Sequence, residues 1–214
     1  MRNPWEDIRL SDYEKHMSLD SVKQLQAMND LMKKQLNDYS VSTVMILGVA
    51  GGNGLEHIDK SKYHRVYGVD INAAYLEEVT TRYCSLDGIL KCLRVNLLEE
   101  SGTLPMAELV IANLLIEYIG YATFQNIVKQ VKPAYVSCVI QMNTDEENWV
   151  SVSPYIHAFD GLEEVHQQIE ANILSETMGS IGYIEIGQEV YSLPNGKSLI
   201  RLDYEKLLPI CSES

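Results

Sequence analysis

The sequence predicts an α/β fold in which a mostly parallel sheet carries helices on both faces and ends in an antiparallel hairpin. Three observations support this prediction. Short, almost continuous apolar runs alternate with amphipathic patterns, a cluster of glycines follows the first run, and an Asn-Gly pair separates the last two. Strands buried on both faces are apolar throughout, and parallel strands need crossover connections, usually helical. With 214 residues, the chain is long enough to bury the core of one such domain.

Residues 1–40 precede the first predicted strand and are expected to form a helical segment. From Ser18 onward, apolar residues recur at intervals of three and four, which predicts an amphipathic helix that Ser18 or Asp20 caps. These apolar residues are Val22, Leu25, Met28, Met32 and Leu36. Upstream of them, the large side chains are Trp5, Ile8, Tyr13, His16 and Met17. The segment is expected to act as a clamp over the surface of the domain, as a lid over its ligand, or as both.

A predicted strand at residues 44–47 leads into a glycine-rich turn at residues 48–54. Glycines let the backbone turn sharply and let a ligand approach it, and the free N–H groups at a following helix start favour anionic groups. The second apolar run, residues 65–69, places Asp70 at the carboxyl end of a strand, where a carboxylate can accept both hydroxyls of a ribose. The two pieces predict one nucleotide-binding pocket.

The later strands bring further polar residues to the same edge of the predicted sheet. The predicted strands span residues 44–47, 65–70, 91–95, 108–112 and 135–141. Asp70, Asn96 and Asn113 stand at strand ends, and Gly52 follows the first strand. Because ligands of parallel sheets bind beyond the carboxyl ends of the strands, we expect these residues to share a pocket.

The segments between and after the strands carry helical patterns and a turn. Asn72 is predicted to cap the helix after the second strand, and another helix is predicted from about Tyr121. Asp160 is predicted to cap a later helix. The apolar face of that helix comprises Leu162, Val165, Ile169 and Ile173. The final runs, residues 183–191 and 198–202, flank an Asn-Gly pair and therefore predict a β-hairpin.

The charge balance argues against a nucleic-acid partner. The chain has 17 Lys and Arg against 30 Asp and Glu, a formal net charge of -13, whereas phosphate backbones are bound by clustered basic side chains. No apolar run approaches the roughly 20 residues of a membrane span, and the N-terminus lacks a signal-peptide core. We therefore expect a cytoplasmic protein with no membrane partner and no metal site, and the sequence leaves its oligomeric state open.

The glycine turn, the acid after the second strand and the closing hairpin together resemble the class I S-adenosylmethionine-dependent methyltransferases, over about residues 41–204. The resemblance implies a Rossmann-like, seven-stranded sheet whose last strand is inserted antiparallel, with S-adenosylmethionine as the cofactor. With the N-terminal segment, the resemblance divides the chain into a lid or clamp at residues 1–40, inferred from its own residues, and a cofactor-binding domain at residues 41–214. Gly48 and Ala50 depart from the family pattern, which has an acidic residue and the first glycine at these positions.

The same resemblance implies individual cofactor contacts. The glycine turn would pass under the methionine part, Asp70 would hold the ribose, and Ile71 would lie against the adenine ring. Asn96 would contact the adenine, and the loop that begins at Asn113 would reach the methionine end. The full implied set is Gly48, Ala50, Gly52, Gly54, Asp70, Ile71, Asn96, Leu97, Asn113 and Leu114.

Methyl transfer needs a nucleophile in line with the sulfonium methyl group, and it needs a base only when the acceptor carries a proton. The candidates for that base are Glu117, His157, His16 and Tyr13. Glu117 is either near the mouth of the pocket or a solvated carboxylate at a helix end, and His157 is either in the acceptor site or a packing residue. His64 and His166 are interpreted as superficial. We expect a small-molecule methyl acceptor, enclosed by residues 5–20 and 150–160.

Two alternatives stay open at this point. A dinucleotide-dependent oxidoreductase would need G-x-G-x-x-G, but counting from Gly52 places His57 at the third glycine position. Counting from Gly48 instead places Ala50 and Asn53 at the second and third positions, so this register fails as well. The other alternative is a catalytically inactive cofactor-binding or regulatory protein of the same fold.

Overall fold

Seven strands form one sheet in the computed structural model, which describes residues 3–143 and 149–207. The strands are β1 (Thr43–Leu47), β2 (Arg65–Asp70), β3 (Leu90–Arg94), β4 (Leu109–Asn113), β5 (Tyr135–Met142), β6 (Tyr183–Ser192) and β7 (Ser198–Lys206). Their order across the sheet is β3-β2-β1-β4-β5-β7-β6. The first five strands pair in parallel, and β7 is antiparallel to both of its neighbours, β5 and β6. The predicted parallel sheet with a closing antiparallel hairpin is therefore confirmed.

Helices surround this sheet. They are α1 (Leu10–Ser18), α2 (Gln24–Asp38), α3 (Ala73–Arg82), α4 (Leu97–Glu100), α5 (Ile116–Val131) and α6 (Ala171–Gly179). None of the helices in residues 3–143 and 149–207 combines the length and the apolarity that a membrane crossing requires.

The core consists of two apolar layers, one on each face of the sheet. Successive side chains of a strand point to opposite faces, so β1 contributes Met45 and Leu47 to one layer and Val44 and Ile46 to the other. The first layer also contains buried side chains of α5 and α6, and the second contains buried side chains of α2 and α3. Because both faces are covered, the strands are apolar throughout, as the sequence indicates.

The helix predicted from Ser18 begins later than expected. Ser18 ends α1, and α2 starts only at Gln24, so neither Ser18 nor Asp20 caps it. The reason is the backbone of Lys23, which takes a left-handed conformation with φ +51°. A right-handed helix cannot continue through such a residue. The apolar repeat therefore spans a turn and a helix rather than one helix.

The helix predicted from Tyr121 begins earlier, at Ile116. Gly120 interrupts its helical backbone with φ +73°, so the first turn is offset from the rest of α5. The apolar repeat at Phe124, Ile127, Val128 and Val131 follows this kink. The sequence pattern therefore reports only the part of the helix beyond Gly120.

The prediction that a helix begins at Asp160 is wrong. Asp160 lies inside a 3-10 helix at Ile156–Glu164, and α6 starts only at Ala171. Between them, the backbone N–H of Gln167 donates to the carbonyl oxygen of Glu117 at 2.8 Å, which holds the chain outside a helix. The predicted apolar face is divided as a result. Leu162 packs beside Phe159, Ile169 joins the core near α5, and Ile173 is exposed.

Candidate functional site

The glycine turn after β1 is built from residues with positive φ. These angles are +68° at Gly48, +46° at Ala50, +82° at Gly52 and +92° at Gly54. A Cβ on Gly52 would lie 2.6 Å from Cε2 of Tyr83, and one on Gly54 would overlap Cγ of Met32. Ala50 thus keeps the left-handed backbone that a glycine adopts most easily, although it carries a side chain. The departure from the family pattern at Ala50 leaves the shape of the turn intact.

Asp70 fastens this turn to the end of β2. Its Oδ2 atom accepts from the N–H of Ala50 at 2.9 Å, and its Oδ1 atom accepts from the N–H of Asn72 at 2.9 Å. Burial raises the pKa of Asp70, and backbone hydrogen bonds from Asn72, Ala50 and Ile71 act in the opposite direction. An ionised carboxylate offers about four acceptor positions, so these bonds leave some acceptor capacity for a ligand.

A cleft opens beyond the carboxyl ends of the strands, and we call it the strand-end cleft. Its predicted lining residues are Gly48, Ala50, Asp70, Ile71, Asn96, Leu97, Asn113 and Leu114. Val95 and Ile119 add apolar wall beside Ile71. The cleft therefore pairs a buried carboxylate with an apolar slot.

Two of the polar residues in this cleft bond to the protein itself. Both polar atoms of the Asn113 amide pair with the amide of Gln35, at 2.9 Å and 2.8 Å, so Asn113 anchors α2 to the sheet. The Oδ1 atom of Asn96 caps α4 by accepting from the N–H of Leu98 at 3.2 Å. Gly52 and Gly54 shape the glycine turn and do not line the strand-end cleft as the structure describes it.

A second pocket, the turn pocket, lies on the other side of Gly48 and Ala50. Its walls are the glycine turn and side chains of α1 and α2, including Glu14, Met28 and Met32. Helix α2 thus forms part of a pocket wall and also packs into the core.

A third pocket is lined mainly by ring side chains, and we call it the aromatic pocket. The rings are those of Trp5, Tyr13, His16, Tyr118, Trp149, Phe159 and His166. Tyr118 lies at their centre, with ring centroids 4.9 Å from Trp5, 6.4 Å from Trp149 and 5.8 Å from His166. The rings of Trp149 and His166 stack at 3.9 Å.

Tyr13 and Leu114 line all three pockets, so the pockets meet at these two side chains. Leu114 has a left-handed backbone with φ +52°, and its N–H donates to the carbonyl oxygen of Val139 at 2.8 Å. The ring of Tyr13 contacts that of Trp5, and the pKa of Tyr13 is raised by removal of its hydroxyl from solvent and by the nearby Asp70 carboxylate. Two ligands bound in neighbouring pockets would touch here.

Glu117 lies in the wall of the aromatic pocket and is only 4% exposed, so the interpretation as a solvated carboxylate is wrong. Its Oε1 atom accepts from the N–H of Gln141 at 2.9 Å. Its Oε2 atom has no hydrogen-bond partner within residues 3–143 and 149–207. Burial raises the pKa of Glu117 to about 7. A buried carboxyl group with this pKa is able to exchange a proton near neutral pH.

The histidines are placed differently from the expectation. His157 is outside the pocket, because its side chain is 88% exposed and contacts Asp160 on the surface. His166, interpreted as superficial, lies in the pocket wall against Trp149. His16 is buried, and its Nδ1 atom is 2.7 Å from Oγ of Ser153. Burial and the nearby Lys197 charge lower the pKa of His16 and of His166 to about 4, so both are neutral at pH 7.

No local pattern identifies His166 or Trp149 as pocket residues. His166 falls in the stretch between the 3-10 helix and α6, which the Gln167 contact with Glu117 holds across the sheet end. Trp149 precedes the loop that the sequence indicates as an acceptor wall. The only available signal is the density of aromatic side chains around that loop.

The N-terminal segment covers the site and is anchored by residues that follow Asp70. Asn72 donates from Nδ2 to the carbonyl oxygen of Trp5 at 2.9 Å, and the Tyr75 hydroxyl donates to that of Ile8 at 2.9 Å. Arg82 of α3 forms an ion pair with Glu14 of α1. The residues after β2 therefore hold α1 and the preceding 3-10 helix over the strand ends.

No protein-family model matches the chain, and no curated protein sequence matches it significantly. Solved structures do match. The N-methyltransferase NodS from Bradyrhizobium japonicum WM9, in complex with S-adenosyl-L-homocysteine, has a TM-score of 0.65 and 12% identity over 93% of this chain and 98% of its own. Magnesium protoporphyrin IX methyltransferase ChlM from Synechocystis PCC 6803, with the same ligand, has a TM-score of 0.62 and 10% identity, over 86% and 83%.

The [4+2]-cyclase SpnF matches as well, with a TM-score of 0.65 and 10% identity over 88% of this chain and 84% of its own. At such identities, structural likeness shows the fold alone. The chain has the fold of the class I S-adenosylmethionine-dependent methyltransferases. Since a cyclase shares this fold, the reaction must be argued from the site.

Proposed function

We propose that this protein is an S-adenosylmethionine-dependent methyltransferase that acts on a small-molecule acceptor. The observation that carries the proposal is the meeting of three pockets at Tyr13 and Leu114. The cofactor would occupy the strand-end cleft and the turn pocket, and the acceptor would occupy the aromatic pocket. NodS and ChlM, which have this fold, are methyltransferases solved with S-adenosyl-L-homocysteine bound.

The residues of the strand-end cleft fit this cofactor. Asp70 keeps acceptor capacity for a ribose hydroxyl, and the wall of Ile71 and Val95 suits a planar base. The positive-φ turn leaves its backbone open toward the turn pocket, where the methionine part would lie. When bound, S-adenosylmethionine supplies a methyl group that its positive sulfur has already activated for attack. The protein then contributes positioning and exclusion of water.

The aromatic pocket supports a small acceptor rather than a macromolecule. It is covered from one side by the N-terminal segment, through Trp5 and Tyr13, and from the other by residues 149–159. A nucleic acid or a protein substrate would need a wide entrance to reach this pocket, and these two segments cover that entrance. The net charge of -13 also opposes binding of a phosphate backbone.

The sheet disfavours the oxidoreductase alternative. In the dinucleotide-binding fold the order is 3-2-1-4-5-6 with parallel strands, whereas here the antiparallel β7 lies between β5 and β6. His57, which stands at the third glycine position of one register, is bonded to Asn29 of α2 at 2.8 Å. It therefore belongs to the packing of α2 on the glycine turn.

Calorimetric titration of S-adenosylmethionine, S-adenosylhomocysteine and NADH tests the cofactor assignment. We expect S-adenosylhomocysteine to bind with a Kd of about 1 μM and no binding of NADH. Asp70→Asn should weaken that affinity at least about tenfold, because it removes a charged acceptor for the ribose. Asp160→Asn, at an exposed carboxylate, is the matched control and should bind normally. Preferential binding of NADH would overturn the proposal, and cofactor binding without turnover on any acceptor would favour the inactive, regulatory alternative.

A further inference from the structure

Two buried polar atoms lack a hydrogen-bond partner in the part of the chain that the structure describes: Oε2 of Glu117 and Nε1 of Trp5. Both residues line the aromatic pocket. Buried polar groups are nearly always satisfied, so an exception needs an explanation, and leaving a carboxylate oxygen unpaired is especially costly. Two such atoms in the wall of one pocket point to a ligand that pairs with both of them.

The surroundings of the Glu117 carboxylate favour a cation. Tyr118, the next residue, is surrounded by Trp5, Trp149 and His166 at centroid distances of 4.9 to 6.4 Å. An ammonium group within about 6 Å of such rings is attracted to their faces, and aromatic cages of this kind recognise alkylated ammonium ions. The pocket wall therefore combines a buried carboxyl group that can ionise near neutral pH with aromatic rings that can attract a cation.

Among the described residues, the other titratable groups near this pocket place no competing cation in its wall. His16 and His166 are neutral at pH 7, since burial and Lys197 lower the pKa of each to about 4. Lys197 donates from Nζ to the carbonyl oxygen of Trp149 and is only 5% exposed. The ammonium group of Lys197 is therefore bonded to the backbone of Trp149 and not placed against its ring. The hydroxyls of Tyr13 and Tyr118 stay protonated, because burial raises the pKa of both.

We propose, on the basis of the methyltransferase function above, that the acceptor is a small amine that binds as its ammonium ion between the Glu117 carboxylate and the ring of Tyr118. A carboxylate acceptor would be repelled by the negative charge of Glu117, and an alcohol would place no cation against the aromatic rings. An oxygen atom of the cofactor or of the amine acceptor can accept a hydrogen bond from Nε1 of Trp5, because Trp5 lines the strand-end cleft as well as the aromatic pocket. The net charge of -13 attracts cations from solution.

Glu117 also provides a place for the proton that the amine must lose. An ammonium nitrogen has no lone pair, so one N–H proton passes to Oε2 of Glu117 and leaves a neutral amine. The nitrogen–carbon bond then forms as the carbon–sulfur bond breaks, the electron pair stays on sulfur, and the product leaves as an N-methylammonium ion. Glu117 finally returns its proton to water. A carboxyl group with a pKa of about 7 is suited to both proton transfers.

Tryptophan fluorescence tests this inference directly, because the sequence has two tryptophans, Trp5 and Trp149, and both line the pocket. The probes are benzylamine, benzyl alcohol and benzoate, titrated at pH 7.5 in saturating S-adenosylhomocysteine. We expect saturable quenching that is strongest for benzylamine. Glu117→Gln should weaken benzylamine binding at least about tenfold, because it removes the charge and keeps the shape. Glu163→Gln, at an exposed carboxylate, should leave it unchanged.

The outcomes separate this inference from the cofactor assignment. Calorimetry with S-adenosylhomocysteine should give the same affinity for Glu117→Gln as for the wild type, which shows that the variant is folded and that the cofactor pocket is intact. The amine inference is overturned if benzylamine does not bind, if benzoate or benzyl alcohol binds as tightly, or if Glu117→Gln binds benzylamine normally. Each of these results leaves the S-adenosylhomocysteine titration, and hence the proposed function, standing on its own.

Discussion

At the scale of single residues, the chemistry of the site depends on carboxylates whose partners come from distant parts of the chain. Asp70 is held by the N–H groups of Ala50 and Asn72 and remains a hydrogen-bond acceptor at the base of the strand-end cleft. Glu117 receives one N–H, from Gln141, and is otherwise unpaired among the described residues. The first carboxylate therefore serves binding, and the second is set up for proton exchange.

The unusual pKa of Glu117 has a consequence for stability. Its value is about 7 in the folded protein and 4.5 in the unfolded chain, so between these values the folded state holds the proton more tightly. The free energy of unfolding of the wild type therefore falls as the pH rises through this window. Glu117→Gln lacks this ionisation and should be more stable than the wild type at pH 8, by at most about 3 kcal/mol, with little of that gain at pH 4.

Urea unfolding of both proteins at pH 4, 6 and 8 measures this difference. Other groups that titrate in this range, such as His16 and His166, are present in both proteins, so their contributions cancel. Glu163→Gln provides a control at an exposed site and should differ from the wild type by a small, pH-independent amount. A difference for Glu117→Gln that stays constant from pH 4 to 8 would mean that this carboxyl group titrates normally.

At the scale of elements, we propose that the N-terminal segment combines the two roles that its sequence leaves open, a clamp and a lid. Helix α2 packs against one face of the sheet through Met32 and Leu36, and its Gln35 pairs with Asn113. These contacts are those expected of a clamp. Helix α1 and the residues before it line the pockets, which is the position of a lid. We infer that the boundary between the two roles is the turn at Lys23.

Two buried tyrosines offer a matched test of the lid. The Tyr75 hydroxyl donates to the carbonyl oxygen of Ile8 in the lid, and the Tyr63 hydroxyl donates to that of Leu36 at the end of α2. Replacing either with Phe should cost about 1 kcal/mol of stability, since each loses one hydrogen bond of the same kind. Only Tyr75→Phe should speed amide hydrogen exchange in residues 5–17 and weaken S-adenosylhomocysteine binding.

Hydrogen exchange monitored by mass spectrometry, with and without S-adenosylhomocysteine, gives both readouts. Tyr63→Phe controls for the general loss of stability. If both variants changed exchange in residues 5–17 to the same extent, the Tyr75 hydroxyl would have no particular role in holding the lid.

At the scale of the whole molecule, the sheet could be predicted from the sequence, but much of the acceptor site could not. Strands buried on both faces leave a continuous apolar signature, and the glycine turn and Asp70 follow from local rules of backbone and strand end. The stretch after Asp160 gave a false helical pattern, because a contact between Gln167 and Glu117 overrides its periodicity. The two histidines of this region also differ from expectation, because His166 lies in the pocket wall and His157 on the surface. Only the folded chain determines which of them faces the pocket.

The arrangement of the molecule predicts that its core and its site are separable. Of the residues that the structure describes, none before Met32 contributes a buried side chain to the two large apolar layers on the sheet. Trp5, Tyr13, His16 and Met17 instead line the pockets. Deleting residues 1–17 should therefore leave a cooperatively folded protein that has lost the cover of its ligands. We expect retained far-ultraviolet circular dichroism and a single thermal transition, together with at least about a tenfold loss of S-adenosylhomocysteine affinity, because the ordered walls around the cofactor are removed. If affinity and turnover on an identified acceptor survived this deletion, residues 1–17 would be no lid, and the pockets would have to be closed by residues 149–159 alone.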